Sequence, residues 1–274
     1  MIKPNFSESQ LQQLVNTEIT MACYANFRPK RHWWFHPIIF NLIEEGDLGW
    51  DTAYYFPWLL NPPDSSGANF FIQYKLSKLI EGNRAKEWQY WGKEYLRFQI
   101  PYTTKDNSTR KYIDDFSQFN ALKNLANRSY QVFYATNHII EKRQLFQLAS
   151  SQRLLSEIPA LSVSSINKKH KKVTFTDTSR HFLLHSEVDE KEKLKIKEII
   201  SKLADIEKHR FSQDVTKLKD FLLEVEKELN QEYRGFQEEF AKVENYPQEI
   251  RVQRQALIIA KYLKSYLDIY WYRI

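Results

Sequence analysis

Apolar residues recur at helical spacing near the start of the chain and form strand-like runs farther along. Between residues 7 and 25 they recur every three or four positions, which predicts a first helix with Ser7 or Ser9 as its N-cap. Two apolar runs rich in β-forming residues follow, Thr52–Leu60 and Ala68–Leu76. Because the residues between them favour a turn, the two runs predict a β-hairpin.

The middle of the chain alternates between helix-like and strand-like patterns. The expected order is helix, strand, helix, strand and strand, at residues 116–128, 132–136, 141–150, 161–163 and 172–176. The polar stretch 101–110 is expected to form a loop. This alternation is typical of an α/β fold.

The composition changes to lysine, glutamate, leucine and isoleucine from Glu187 onward, which predicts a domain boundary there. Beyond it, apolar residues recur at intervals of three or four: Val215, Leu218, Leu222, Val225, Leu229, Tyr233, Phe236, Phe240 and Val243. Such a stripe needs a partner helix, and either the preceding helix around 194–206 or a last helix after Pro247 could supply it. We expect an intramolecular bundle and an all-helical domain over residues 186–274. A homodimer or a protein partner bound through the stripe is the alternative.

Composition excludes several classes of protein. With 274 residues the chain is long enough for an enzyme, but 6 glycines are few for a glycine-rich nucleotide-binding fold. A single cysteine, Cys23, excludes an internal disulfide and a cysteine-based zinc cluster. The start of the chain lacks the apolar core of a signal peptide, and no apolar run reaches membrane-spanning length. We therefore expect a soluble, cytoplasmic protein with no membrane contact.

Basic residues are in excess, with a formal net charge of +6, which is compatible with a polyanionic partner. Residues 78–97 interleave cations with aromatic rings, and residues 167–172 form a strongly basic tip. Either stretch could contact a nucleic-acid backbone. Either could equally be a solvated face, with the aromatic rings of the first stretch turned inward.

Acidic and amide side chains gather around the predicted hairpin. Asp51 precedes its first strand, and Gln73 and Lys75 share one face of the second because side chains alternate along a strand. Both are costly to bury without partners, so their presence points to chemistry; an edge strand with one solvated face is the structural alternative. Glu45 lies six residues before Asp51, in a cluster of four acids that requires a compensating cation.

These residues resemble the motif of the PD-(D/E)xK nuclease superfamily, the fold of many restriction endonucleases. In that motif an Asp begins the second core strand, and Glu or Gln, any residue and Lys lie on the third. Asp51 matches the first position and Gln73-Tyr74-Lys75 matches the Gln-x-Lys variant, while a first-helix glutamate, Glu18, would complete the site. The resemblance implies an α/β restriction-endonuclease-like domain over residues 1–185, with a central mixed sheet flanked by helices.

The resemblance further implies a metal-dependent nuclease that acts on nucleic acid, with double-stranded DNA expected, and a role in defence against foreign DNA. Asp51, Gln73 and Glu45 would hold Mg²⁺ or Mn²⁺. Lys75 would orient the attacking water or stabilise charge in the transition state. Because Gln73 replaces a glutamate, one negative charge is lost. This change favours an alternative, a catalytically inactive nuclease fold that serves as a nucleic-acid-binding or assembly subunit. A purely structural helical protein is the third interpretation.

Overall fold

A computed structural model describes residues 1–26, 66–105, 111–167, 169–203, 205–229, 232–233 and 235–273. The helices in these ranges are α1 (Glu8–Asn26), α2 (Trp88–Trp91), α3 (Ser117–Asn127), α4 (Lys142–Ser150), α5 (Leu154–Glu157), α6 (Ile196–Leu203), α7 (Phe211–Glu228), α8 (Phe236–Val243) and α9 (Gln248–Leu267). None of the helices in these ranges is long and apolar enough to cross a membrane. The first predicted hairpin strand, Glu45 and Asp51 all lie outside the described residues.

The strands are β1 (Ser66–Gly67), β2 (Asn69–Lys75), β3 (Lys78–Ile80), β4 (Tyr95–Gln99), β5 (Tyr102–Lys105), β6 (Tyr112–Asp115), β7 (Gln131–Thr136), β8 (Pro159–Ser162), β9 (Lys172–Phe175), β10 (His181–His185), β11 (Asp189–Glu192), β12 (Leu194–Lys195), β13 (His209–Arg210) and β14 (Tyr270–Arg273). The predicted helices at 116–128 and 141–150 and the predicted strand at 132–136 are confirmed within one residue at each end. The expected loop at 101–110 is wrong at its start, since β5 begins at Tyr102 and pairs with β6.

A five-stranded mixed sheet, in the order β12-β8-β7-β2-β14, forms the central layer. In it β2 runs parallel to β7 and antiparallel to β14, and every residue of β2 is buried. Burial on both faces explains why the sequence of β2 is a nearly continuous apolar run. The expectation of a mixed α/β fold with a mixed sheet flanked by helices is confirmed.

Alternate residues of β2 face two separate hydrophobic cores, because neighbouring side chains in a strand point to opposite faces. Phe71 points into the first core, which is formed with α3, α7, α8, α9 and strands of a second sheet. Phe70, Ile72 and Tyr74 point into the second core, which is formed with α1, α4, α5 and α6. The central sheet is therefore covered on both faces, and Gln73 and Lys75 share the face of Phe71.

The second sheet is antiparallel, in the order β11-β10-β9-β4-β3, and it closes the first core. Phe98 of β4 contacts Tyr134 of β7, with 6.2 Å between ring centroids. Phe98 also packs edge-to-face against Phe182 of β10. These aromatic contacts hold β4 close to the face of the central sheet that carries Gln73 and Lys75.

The C-terminal part of the chain is not all-helical, and this corrects the sequence-based expectation. The predicted boundary after residue 185 separates β10 from β11, which pair with each other in one sheet. The last strand, β14, lies beside β2 in the central sheet. Residues 186–274 therefore add β11 to the second sheet and β12 and β14 to the central sheet. The pairing of β14 with β2 is a long-range contact that composition does not reveal.

The apolar stripe of residues 215–243 packs against α9, so the expected intramolecular packing of the stripe is confirmed. Both α7 and α8 contact α9, and their apolar residues lie in the first core. The other proposed partner, α6, lies in the second core, on the opposite face of the central sheet. The last helix ends at Leu267, and Trp271 beyond it belongs to β14. An amphipathic helix buries its apolar face against a partner. Because α6 covers the opposite face of the central sheet, α9 is the helix that α7 and α8 pack against.

The hairpin prediction is wrong for the first half of β2. Along Phe70–Ile72, one edge of β2 is paired with β7 and the other with β14. A strand has two edges, so no edge is left there for a preceding hairpin strand. The apolar run correctly predicted the strand but could not identify its neighbours.

Candidate functional site

Gln73 and Lys75 lie on one face at the end of β2, as the alternation of side chains predicts. The exposed fraction is 0% for Gln73 and 5% for Lys75. The structural alternative, an edge strand with a solvated face, is therefore wrong. Burying an amide and an ammonium costs free energy unless partners compensate, so their contacts define the site.

Among the described residues, the side chains of Gln118 and Tyr102 contact the Lys75 ammonium. Its Nζ donates a hydrogen bond of 3.1 Å to Oε1 of Gln118 on α3, and it lies 3.6 Å from the centre of the Tyr102 ring on β5. Asp115, the last residue of β6, accepts a 2.8 Å hydrogen bond from the backbone N–H of Ser117, the first residue of α3. This turn fixes the path of the chain into α3, where Gln118 is the second residue.

The end of α9 completes the support of Lys75. Gln118 Nε2 donates a hydrogen bond of 2.7 Å to the backbone carbonyl of Leu267, the last residue of α9. The final carbonyls of a helix have no partner within the helix, and they carry the negative end of its dipole. Gln118 thus satisfies one such carbonyl while its own carbonyl oxygen faces the ammonium.

The charge of Lys75 is balanced by two half-buried carboxylates. Burial lowers the pKa of Lys75 to about 8, whereas the negative charges of Glu8 and Asp268 act to raise it. Burial, followed by the charge of Asp268, raises the pKa of Glu8, and the nearby Lys75 opposes that rise. An ammonium with a lowered pKa beside carboxylates is typical of functional sites.

A capping box at the start of α1 positions Glu8. The Ser7 hydroxyl accepts a 3.1 Å hydrogen bond from the backbone N–H of Gln10, and the Gln10 side chain accepts one of 3.1 Å from the Ser7 N–H. The predicted Ser7 N-cap is confirmed. Glu8 is the first residue of the helix, and a backbone hydrogen bond from Leu76, the residue after β2, holds its carboxylate near the end of that strand.

The side-chain amide of Gln73 uses only part of its hydrogen-bonding capacity among the described residues. Its Nε2 donates to the Tyr102 hydroxyl at 3.4 Å, whereas its Oε1 has no hydrogen-bond partner among the described residues. Tyr134 is the register partner of Gln73 on β7, and its buried hydroxyl likewise has none among those residues. Each unsatisfied buried group costs about 1–3 kcal/mol, so the pair marks a place where a bound group would be stabilised.

A cavity of about 370 Å³ opens beside Lys75. Among the described residues that line it are Lys75, Lys78 of β3, Arg97 of β4, Tyr102 and Glu8. Four strands and a helix end therefore meet at one cavity. Its volume is in the range of small-ligand sites in proteins.

Glu18 is separated from this cluster. Its carboxylate accepts hydrogen bonds from the backbone N–H groups of Leu154, at 3.0 Å, and Leu155, at 3.3 Å, at the start of α5. It lies ten residues after Glu8 on α1, about 15 Å farther along the helix axis. The glutamate that α1 places near Lys75 is Glu8, and sequence reasoning missed it. Its only signal was its position directly after the N-cap serine.

A divalent cation is the group that the resemblance implies, and Gln73 fits it in one respect. Hard cations such as Mg²⁺ bind oxygen ligands, and Gln73 Oε1 is a buried oxygen with no partner among the described residues. The part of the chain that the structure describes contains no group of three Asp, Glu, His or Cys residues arranged to hold a metal. Asp51 and Glu45, the other ligands implied, lie outside that part.

Comparison with models of protein families gives no match to this chain, and comparisons with curated proteins and with solved structures give none either.

Proposed function

We propose that this protein is a metal-dependent nuclease that hydrolyses phosphodiester bonds in nucleic acid, with DNA as the expected substrate. The observation that carries the proposal is the pairing of Gln73 with Lys75. Both are buried on one face at the end of a central strand, where the amide oxygen lacks a partner among the described residues and the ammonium reaches a cavity. A purely structural strand would not bury both groups at this cost.

The arrangement around β2 supports a restriction-endonuclease-like core as part of the proposal. β2 lies inside a mixed sheet, with α1 packed on one face through the second core. The resemblance calls for a first-helix glutamate near the Gln-x-Lys strand, and α1 supplies Glu8. In this proposal Glu8 takes the place first given to Glu18.

Lys75 would act as a cation rather than as a base. Because its pKa is about 8, Lys75 is protonated in about nine-tenths of the molecules at pH 7. The ammonium is held by Gln118 and by the face of Tyr102, so its position is set before substrate binds. A preorganised charge at this place would stabilise negative charge that develops on the phosphate during attack.

Gln73 would contribute a neutral oxygen ligand, together with Asp51 and Glu45 from the remainder of the proposed site. When bound, Mg²⁺ or Mn²⁺ would polarise the scissile phosphate and lower the pKa of the attacking water. Tyr102 holds the Gln73 amide through its Nε2, which leaves Oε1 directed away from that bond. The described residues thus orient one ligand and one cation.

Incubation of the purified protein with supercoiled plasmid and Mg²⁺, Mn²⁺ or EDTA tests this proposal. We expect nicking with either metal and none with EDTA, and loss of nicking in Lys75→Met, which keeps most of the side-chain volume. Lys217→Met, at an exposed position on α7, is the matched control and should nick like the wild type. If the wild type nicks under none of these conditions, the nuclease proposal is wrong. Oligonucleotide binding that remains would then favour the non-enzymatic binding subunit.

A further inference from the structure

The cavity beside Lys75 contains an unusual pair of like charges. Lys78 of β3 and Arg97 of β4 are directly opposite each other in the antiparallel register, and both line the cavity. Like charges opposite each other on one face destabilise a sheet. This arrangement therefore requires compensation, either from the protein or from a bound group.

Of these two positive charges, the described residues neutralise that of Arg97. Its Nη1 lies 3.3 Å from Glu87 Oε2, and Glu87 also pairs with Lys172 at 2.8 Å. Beyond the backbone pairing of β3 with β4, the Lys78 ammonium forms no hydrogen bond or ion pair with any residue in the part of the chain that the structure describes. Its ammonium is thus available at the wall of the cavity.

More cationic than acidic side chains line the cavity. Among its described lining residues, Lys75, Lys78 and Arg97 are cationic and Glu8 is acidic. Glu87 offsets the charge of Arg97, and Glu8 and Asp268 act on Lys75, so Lys78 is the lining cation without an acidic partner among the described residues. Gln99 and Thr103 add neutral polar groups to the lining. A small anion with several oxygen acceptors matches this set of donors.

We propose that this cavity binds a phosphate group of a nucleic-acid strand, contacted by Lys78 and Arg97 next to the place where Lys75 acts. The proposal rests on the proposed function in that the strand is its substrate. A phosphate neighbouring the scissile one would neutralise the cation pair across β3 and β4 and fix the register of the strand. Such contacts position a strand without reading its sequence.

Binding in EDTA tests the proposal without cleavage. The probe is a short single-stranded DNA oligonucleotide with a 3′ fluorophore, measured by fluorescence anisotropy over a range of salt concentrations. In Lys78→Gln we expect affinity to fall roughly three- to tenfold. The slope of log affinity against log salt concentration should become shallower by the amount that corresponds to about one phosphate contact. Lys78 has no described partner to lose, so this variant should remain folded; Arg97→Gln should act in the same direction.

Two controls distinguish a phosphate contact from general electrostatics. Lys217→Gln removes the same charge from an exposed site on α7 and should bind like the wild type. An oligonucleotide with neutral methylphosphonate linkages should bind the wild type weakly and should not distinguish Lys78→Gln from it. If Lys78→Gln binds the charged probe like the wild type, the cavity proposal is wrong.

The two proposals can fail separately. If plasmid is never nicked but binding depends on Lys78, the nuclease proposal fails and the phosphate site stands. If plasmid is nicked by wild type and Lys78→Gln at equal rates and with equal KM, the phosphate site fails and the nuclease proposal stands.

Discussion

The Lys75 ammonium donates a 3.1 Å hydrogen bond to Gln118 Oε1, and this bond joins the central strand to a helix 43 positions later in the chain. Gln118 in turn donates to the Leu267 carbonyl at the end of α9. One buried amide therefore connects the candidate site to both the middle and the C-terminal part of the protein.

Gln118→Leu should destabilise the protein by about 1–3 kcal/mol, because it leaves a buried ammonium without its acceptor and a helix-end carbonyl without its donor. Urea denaturation followed by circular dichroism measures the loss. Gln213→Leu, at an exposed position on α7, is the control, and its stability should change by no more than about 0.5 kcal/mol. Equal stabilities for the two variants would show that the Gln118 bonds contribute nothing.

Glu8→Gln should lower the pKa of Lys75 below the value of about 8, because the negative charge of Glu8 stabilises the ammonium. The pH dependence of Lys75 acylation, followed by peptide mass spectrometry, reports this pKa directly. In the wild type, cleavage that needs the ammonium should decline as pH rises through about 8, and in Glu8→Gln the decline should begin at lower pH.

The control for this shift is Glu228→Gln, which removes the same charge from an exposed position at the end of α7. It should leave the Lys75 titration where it is in the wild type. An unchanged Lys75 midpoint in Glu8→Gln would contradict the coupling between the first helix and the central strand.

Gln73→Glu should tighten Mn²⁺ binding, because a carboxylate is a stronger ligand for a hard cation than an amide oxygen. Isothermal titration calorimetry measures the affinity. Gln99→Glu adds the same charge to the cavity lining without replacing the proposed ligand, so a smaller gain is expected there. If both variants bind Mn²⁺ equally, the effect is general electrostatics and Gln73 is not a ligand.

Asp214→Ala should cost about 3–5 kcal/mol, because it leaves the Arg273 guanidinium charged and buried. Arg273 Nη1 lies 2.5 Å from Asp214 Oδ2, and the exposed fractions of the two side chains are 3% and 0%. This pair ties β14 to α7. The double variant Asp214→Leu/Arg273→Met should lose less stability than the sum of the single variants in urea denaturation.

The exposed pair of Arg153 and Glu157 is the control for the buried one. Its side chains are 61% and 28% exposed, so Glu157→Ala should change stability by no more than about 1 kcal/mol. A comparable small loss in Asp214→Ala would show that the buried pair is not needed to hold β14 in the central sheet.

Local patterns predicted the longer helices and several of the buried strands. The start of α1, the helix α3 and the buried strand β7 follow from periodicity and capping, which depend on residues a few positions apart. The neighbours of β2 and the division of the C-terminal region were predicted wrongly. They depend on β14, which pairs with β2 across about 200 positions, and on which face of the sheet each helix covers.

The sequence by itself determined that Gln73 and Lys75 share one face of a strand, because the alternation of side chains is a property of any extended backbone. Only the tertiary structure decided that both are buried and that Glu8, Gln118 and Asp268 surround the ammonium. These neighbours come from the ends of three helices. Where a helix end lies depends on how its apolar face packs against the sheet, and residues far apart in the chain set that packing together.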